Sequence, residues 1–334
     1  FAYNSDDGIF FGAGAAFQHY GFRKTPYAGY TSIKGNVSFA TGAFRLGFEG
    51  NYIQAIGGLR LNVLAYADRP RIRNYYGLGN NTKRHKNFEK NEFYEIKSEE
   101  LFITPLLHHD FSSRSTFYFG AGFRRFTFDA EDNTGTLIVI DQPHGLSINE
   151  TLEFTAGITM DFREAPIFPT KGSLWSFGIS HVPKALDNDS SYTKGSALAR
   201  FYVSPSNKLT LAFGAGAEKI WGGFPYYDAA YLGGTGTLRG FPRERFAGEA
   251  SINGVAAAML KLFRYYFLFP TDFGMFILGD AGRVWLDGES PGGWHTSFGG
   301  GVFFSPTYRK LTFSIGAAQS DEGLRFSFGG GFKF

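Results

Sequence analysis

The chain has 334 residues, 43% hydrophobic and 18% aromatic, with 45 glycines, 39 phenylalanines, no cysteine and a formal net charge of +3. So small a charge does not imply nucleic acid, the missing cysteines exclude a disulfide framework and thiolate metal sites, and the glycine and phenylalanine excess argues against a helical protein. No run of eighteen apolar residues exists to form a membrane-spanning helix, whereas barrel strands need only about ten alternating residues each.

The length would suit two domains, but a single barrel commonly runs this long. Period-two runs predict strands over residues 8–20, 28–40, 43–54, 58–67, 92–109 and 116–128. Further runs follow at 151–162, 173–181, 192–203, 209–220 and 252–265, and the last four cover 273–285, 296–304, 311–318 and 324–334. Most exceed the roughly six residues usual in soluble sheets. No convincing amphipathic helix interrupts them. Short turns such as Ser204-Pro205-Ser206-Asn207 and Pro306-Thr307-Tyr308 alternate with long loops at 69–91, 130–148 and 221–251. Short turns at one end and long loops at the other describe an outer-membrane barrel. An antiparallel barrel with both termini on one side needs an even count. A further strand is therefore expected at or before residues 1–6, giving an all-β, transmembrane antiparallel barrel of about 16 strands over 1–334. The chain starts at Phe1 without methionine or signal peptide, so it reads as a mature or excised segment with an upstream periplasmic or enzymatic domain expected before it.

The final strand shows the facing. Leu324, Phe326, Phe328, Phe332 and Phe334 share one face, and Arg325, Ser327, Gly329, Gly331 and Lys333 the other. So many strands enclose a space too wide for side chains to fill, so the apolar face is expected outward and the polar face inward. Tyr20, Tyr27, Tyr30, Trp221, Tyr226, Tyr227 and Trp285 are expected in interfacial belts. Tyr118, Phe126 and Phe128 fall on the lumen side if Phe117, Phe119 and Phe123 face lipid, and a register-shifting bulge is the expected cause.

One loop stands apart: Tyr231-Leu232-Gly233-Gly234-Thr235-Gly236-Thr237-Leu238-Arg239-Gly240-Phe241 sets a lone cation among glycines and aromatics. Glycines permit close approach to a wall, and a guanidinium presented there can dock on a carboxylate through a forked pair of hydrogen bonds.

Leu238-Arg239-Gly240-Phe241 resembles the [V/I/L]-R-G-[F/Y] motif of the bacterial surface-antigen superfamily, the barrels of BamA/TamA-type assembly factors and two-partner secretion transporters. Leu278-Gly279-Asp280-Ala281-Gly282 is similar to the family's F-x-D-x-G, with Leu278 in place of the aromatic. The resemblance implies that the motif loop folds back into the lumen and that Asp280 is its wall partner, with Gly282 leaving room for the guanidinium. Ser327-Phe328-Gly329-Gly330-Gly331-Phe332-Lys333-Phe334 resembles the C-terminal β-signal, in which Ser327, Gly329, Phe332 and Phe334 hold the pattern positions. Phe168-Pro169-Thr170-Lys171-Gly172 looks like the family's periplasmic F-P-T-x-G turn, and Tyr75-Tyr76-Gly77-Leu78-Gly79-Asn80 resembles a segment of metallophosphatase-linked members. Several members carry a glutamate after the motif loop as a second arginine partner; here Met259-Leu260-Lys261-Leu262-Phe263-Arg264 holds no acid.

Seven cations lie between residues 69 and 90, namely Arg69, Arg71, Arg73, Lys83, Arg84, Lys86 and Lys90. Two readings stand for them: a solvated loop, or contact with the phosphates of lipopolysaccharide. For catalysis there is no H-E-x-x-H helix, nucleophile elbow or phosphate loop. No enzyme activity, cofactor or metal is therefore expected. The resemblance implies insertion or translocation of polypeptides, with the lipid bilayer, the outer-membrane assembly machinery, polypeptide clients and periplasmic proteins as partners. An anchor barrel for an upstream phosphoesterase or patatin-like lipase is the first alternative, and a passive diffusion pore the second.

Overall fold

The computed structural model describes residues 2–4, 8–39, 42–89, 91–147, 150–188, 190–266, 269–306 and 311–330. The strands are β1 (Ala2–Asn4), β2 (Gly8–Gly21), β3 (Lys24–Ser38), β4 (Phe44–Ile56), β5 (Leu59–Asn74) and β6 (Glu95–Ser112). Next come β7 (Ser115–Phe128), β8 (Glu150–Asp161), β9 (Gly172–Val182), β10 (Tyr192–Val203) and β11 (Leu209–Gly222). Two short strands, β12 (Ala230–Leu232) and β13 (Phe246–Gly248), precede β14 (Ala250–Tyr266), β15 (Pro270–Trp285), β16 (His295–Pro306), β17 (Phe313–Ser320) and β18 (Gly323–Gly330). A 16-stranded antiparallel sheet runs in chain order with β12 and β13 left out, and those two pair with each other. The extra strand expected near the start is β1, paired with β2 from Ala2↔Phe10 to Asn4↔Gly8.

Local chemistry accounts for the hairpins. Between β4 and β5, Gly57 and Gly58 both take positive φ, +56° and +81°, as a tight hairpin requires at its two central residues. The loops over 75–94, 129–149, 183–191, 223–249 and 286–294 all leave the opposite end of the sheet. We refer to a short-turn end and a long-loop end.

The alternation sorts side chains as expected. On β15, Asp272, Gly274, Phe276, Leu278, Asp280, Gly282 and Val284 are buried, while Met275 and Ile277 between them are 46% and 68% exposed. On β18, Leu324, Phe326 and Phe328 point outward at 54%, 80% and 73% exposure. Neighbouring strands continue this apolar outer surface through Phe298, Val302 and Ile315, the form of a lipid-facing wall. The expected positions Phe332 and Phe334 lie outside the described residues.

Three expectations are corrected. Strand β5 runs on to Asn74, so Arg69, Arg71 and Arg73 sit on a strand rather than in a loop. Strand β7 carries no bulge along its aromatic run: it keeps one register against β6 from Thr116 to Phe128 and one against β8 from Thr116 to Arg125. Phe126 faces the lumen because Tyr226 and Tyr227 come in to meet it, with ring centroids 6.2 and 4.4 Å away. That contact also removes Tyr226 and Tyr227 from any interfacial belt, since they are 1% and 4% exposed, whereas Tyr20 and Trp221 are exposed.

Candidate functional site: the inward loop and its three arginine locks

The loop over 223–249 folds into the lumen and builds its own small core. Leu232, Leu238, Phe241 and Phe246 pack with Val284 of β15. The β12–β13 hairpin inside this loop has no long alternating run and is invisible to periodicity. Gly233 and Gly234 open it with φ of +122° and +80°. A Cβ on Gly233 would meet the Pro242 carbonyl oxygen at 2.1 Å, so only glycine fits there.

Arg239 lands on Asp280. Its Nη2 donates to Asp280 Oδ1 at 2.5 Å, and its Nε donates to Oδ2 at 3.1 Å. The backbone N–H of Arg239 adds a bond to Oδ2 at 3.0 Å, and Ser297 Oγ donates to the same oxygen at 3.1 Å. The side chains are 9% and 0% exposed. A buried pair needs its remaining lone pairs satisfied to offset desolvation, and the backbone N–H and Ser297 do that. Gly240 locks the same turn: its N–H donates to Ser297 Oγ at 3.2 Å, and its carbonyl accepts from Ser320 Oγ at 2.7 Å. A Cβ there would lie 2.6 Å from Ser297 Cβ and 3.0 Å from Ser320 Cβ. Gly282 makes room for something other than the guanidinium. Its missing Cβ leaves space for Leu232 Cδ1 at 2.9 Å and Leu238 Cδ1 at 3.3 Å, so the glycine admits the loop's apolar core.

Two further locks escaped the sequence reading. Asp228, in the one-turn helix Tyr226–Asp228, accepts both bonds of a fork from Arg124 Nη1 of β7, at 2.7 and 2.8 Å, and a bond from the Tyr192 hydroxyl of β10. Arg124 and Arg71 of β5 both reach Glu100 of β6, so this lock joins five elements around one pair of acids. Burial pushes Asp228 up, but the charge of Arg124 and the Tyr192 bond hold its carboxyl below the usual range. At the long-loop end Arg245, 2% exposed, donates from Nε to Glu322 Oε1 at 2.6 Å, between β17 and β18. It also donates to Thr82 Oγ1 at 2.7 Å and to the Thr82 carbonyl at 2.6 Å. Its guanidinium lies over Phe246 and Tyr76, 4.5 and 5.1 Å from the centroids. The usable signal was an acid directly after Tyr226-Tyr227 and a second loop arginine beside Phe246.

The loop before β6 caps these contacts. Asn80, fully buried, donates from Nδ2 to the Pro291 and Gly293 carbonyls at 2.7 and 2.8 Å, and its Oδ1 accepts from the Val284 N–H at 3.0 Å. His295 Nε2 donates to the Asn80 carbonyl at 2.8 Å, and its ring stacks on Phe246 at 3.7 Å. The expected lipopolysaccharide contact loses four of its cations: Arg69 meets Glu99, Arg71 meets Glu100, Arg84 meets Glu322, and Arg73 donates to the Tyr227 carbonyl. On the last strand, Ser327 faces inward and donates to the Gly316 carbonyl at 3.5 Å, and Gly329 borders open space.

Among the described residues no group of three or more His, Asp or Glu side chains is placed to hold a metal. The arrangement positions a loop against the lumen wall.

A family model for the Omp85 superfamily domain matches residues 29–334. Among solved structures, BamA from Haemophilus ducreyi lacking POTRA domains 1–3 superposes with a TM-score of 0.66 at 14% identity, over 98% of this chain and 68% of that one. CdiB from Escherichia coli gives a TM-score of 0.50 at 12% identity, over 96% of this chain and 62% of its own length. No curated protein sequence matches significantly. The chain belongs to the Omp85 superfamily.

Proposed function

We propose that this Omp85 barrel is the membrane-embedded part of a protein that inserts or translocates polypeptides at the outer membrane. The observation that carries the reading is the inward loop, held against the lumen wall by Arg239 on Asp280, Arg124 on Asp228 and Arg245 on Glu322. A brace of this kind keeps the β15–β18 wall in one register while the terminal strand works as an edge. The described end of β18, residues 327–330, supplies that edge, and pairing with an incoming strand is the chemistry a strand edge offers. The partners are the bilayer, the assembly machinery of the membrane and polypeptide clients. The barrel performs no catalysis of its own.

The test is insertion of a client barrel, read by protease protection, into liposomes containing the complete protein. The expected result is faster insertion than into empty liposomes, and slower again with Arg239→Ala. Equal rates with and without the protein would overturn the reading. A passive pore is distinguished by single-channel conductance, expected to stay small until residues 223–249 are deleted.

A further inference from the structure

The short-turn end of the lumen holds a concavity that the loop locks do not touch. It encloses about 630 Å³ between the 162–171 turn, the 204–208 turn and the lower ends of β14, β15 and β16. Its floor is apolar: Phe168, Met259 and Phe303 are 6%, 2% and 2% exposed, and Phe168 meets Phe303 edge to face at 5.2 Å. Its rim is basic, with Lys171, Lys208 and Lys261 contributed by three different segments.

Two acids line the same concavity, each held by partners of its own. Glu164 accepts from the Thr170 N–H and hydroxyl, both at 2.6 Å, and from the Lys171 N–H at 2.7 Å, which pins the turn. Asp272 takes a fork from Arg264 at 2.6 and 2.8 Å. Among the described residues, none of the three lysine ammonium groups has a carboxylate partner. Lys171, Lys208, Lys261 and Arg264 line the concavity against Glu164 and Asp272, so an excess of positive charge stands over the apolar floor. Exposed ion pairs contribute little singly, so an occupant needs both an apolar anchor for the floor and acidic groups for the rim.

We infer that this mouth is a docking site for an acidic polypeptide segment carrying an aromatic or large aliphatic residue. The floor takes the apolar side chain, and the three ammonium groups take carboxylates flanking it. Carboxylates on alternate residues of an extended segment repeat about every 6.6 Å on one side, which suits a rim spread over three segments better than a single compact charge. A phospholipid headgroup is the other anionic ligand at this end. It fits less well because the floor lies on the lumen side of β14 and β16, behind the wall that faces the bilayer. The inference deepens the assembly reading by naming the chemistry of the segment received, but it rests on the wall and turns alone.

Fluorescence anisotropy of the detergent-solubilised full chain with a labelled peptide of alternating Asp and Phe tests it. A matched peptide with Lys in place of Asp is the control. The acidic peptide is expected to bind and the basic one not, and Lys171→Gln/Lys208→Gln/Lys261→Gln should weaken binding by about tenfold or more. Heat-modifiable migration of that variant confirms that it folds. Absence of acidic-peptide binding, equal binding of both peptides, or a triple variant within about twofold of the native chain would overturn the inference. Displacement of the peptide by short-chain phosphatidylglycerol would assign the site to lipid and also overturn it. No membrane insertion is read, so failure here is separable from failure of the assembly reading.

Discussion

Strands β2 and β15 are walls of the same sheet, yet their lumen faces have opposite character. The inner face of β2 is built from Gly12, Gly14, Ala16 and Gln18, all exposed, while every inner residue of β15 from Asp272 to Val284 is buried. Composition differs as well, because β15 sets Phe276, Leu278 and Val284 on that face where β2 sets Gly12, Gly14, Ala16 and Gln18. The difference also follows what lies against them: the 223–249 loop packs on the 280–284 part of β15, and Phe168 and Phe303 pack near its Phe276 part, while the described inner face of β2 stays exposed. A polar lumen wall therefore takes its energetics from the loop that visits it, and the same residue type is cheap to change on one side and costly on the other.

The sharpest way to break this asymmetry is Asp280→Ala, which leaves Arg239 buried without its acid. A loss of about 3–5 kcal/mol is expected, seen as a lowered unfolding temperature in heat-modifiable gel migration; Arg239→Ala/Asp280→Ala should recover part of it. Arg245→Ala removes bonds to Glu322 and Thr82 and should cost about 2–3 kcal/mol by the same assay. It should also raise protease sensitivity at the long-loop end. Gly240→Ala forces a Cβ against Ser297 and Ser320, an overpacking cost of about 1–2 kcal/mol. The smallest effect completes the comparison: Ala16→Gln on β2 should change stability by no more than about 0.5 kcal/mol. Ala257→Gln, at a position 6% exposed on β14, should cost about 1–3 kcal/mol. Equal losses at the two alanines would remove the distinction between the walls.

What the sequence made legible was whatever is written at short range. Period-two alternation located the strands, and the family resemblance of residues 278–282 named Asp280 as the wall partner of the loop arginine. Where reading failed, the cause was a contact across long separations. Tyr226 and Tyr227 carry the composition of an interfacial belt, but Phe126, 100 residues earlier, holds them inside. Arg71 and Arg84 read as loop cations until Glu100 and Glu322 appear beside them. Gly282 was assigned the right property, absence of a side chain, for the wrong neighbour. The Asp228 and Arg245 locks join residues 104 and 77 positions away from them, and no local pattern reports that.

The buried Asn80 has a consequence in time. Its amide ties residue 80 to positions 204–213 residues further along the chain, and neither β15 nor the loop after it exists for it to hold until most of the chain is in place. Contacts of such separation carry the largest loop-closure cost and form late. The seal at the long-loop end is therefore a finishing step, closing over a lumen whose motif loop has already been laid against its wall.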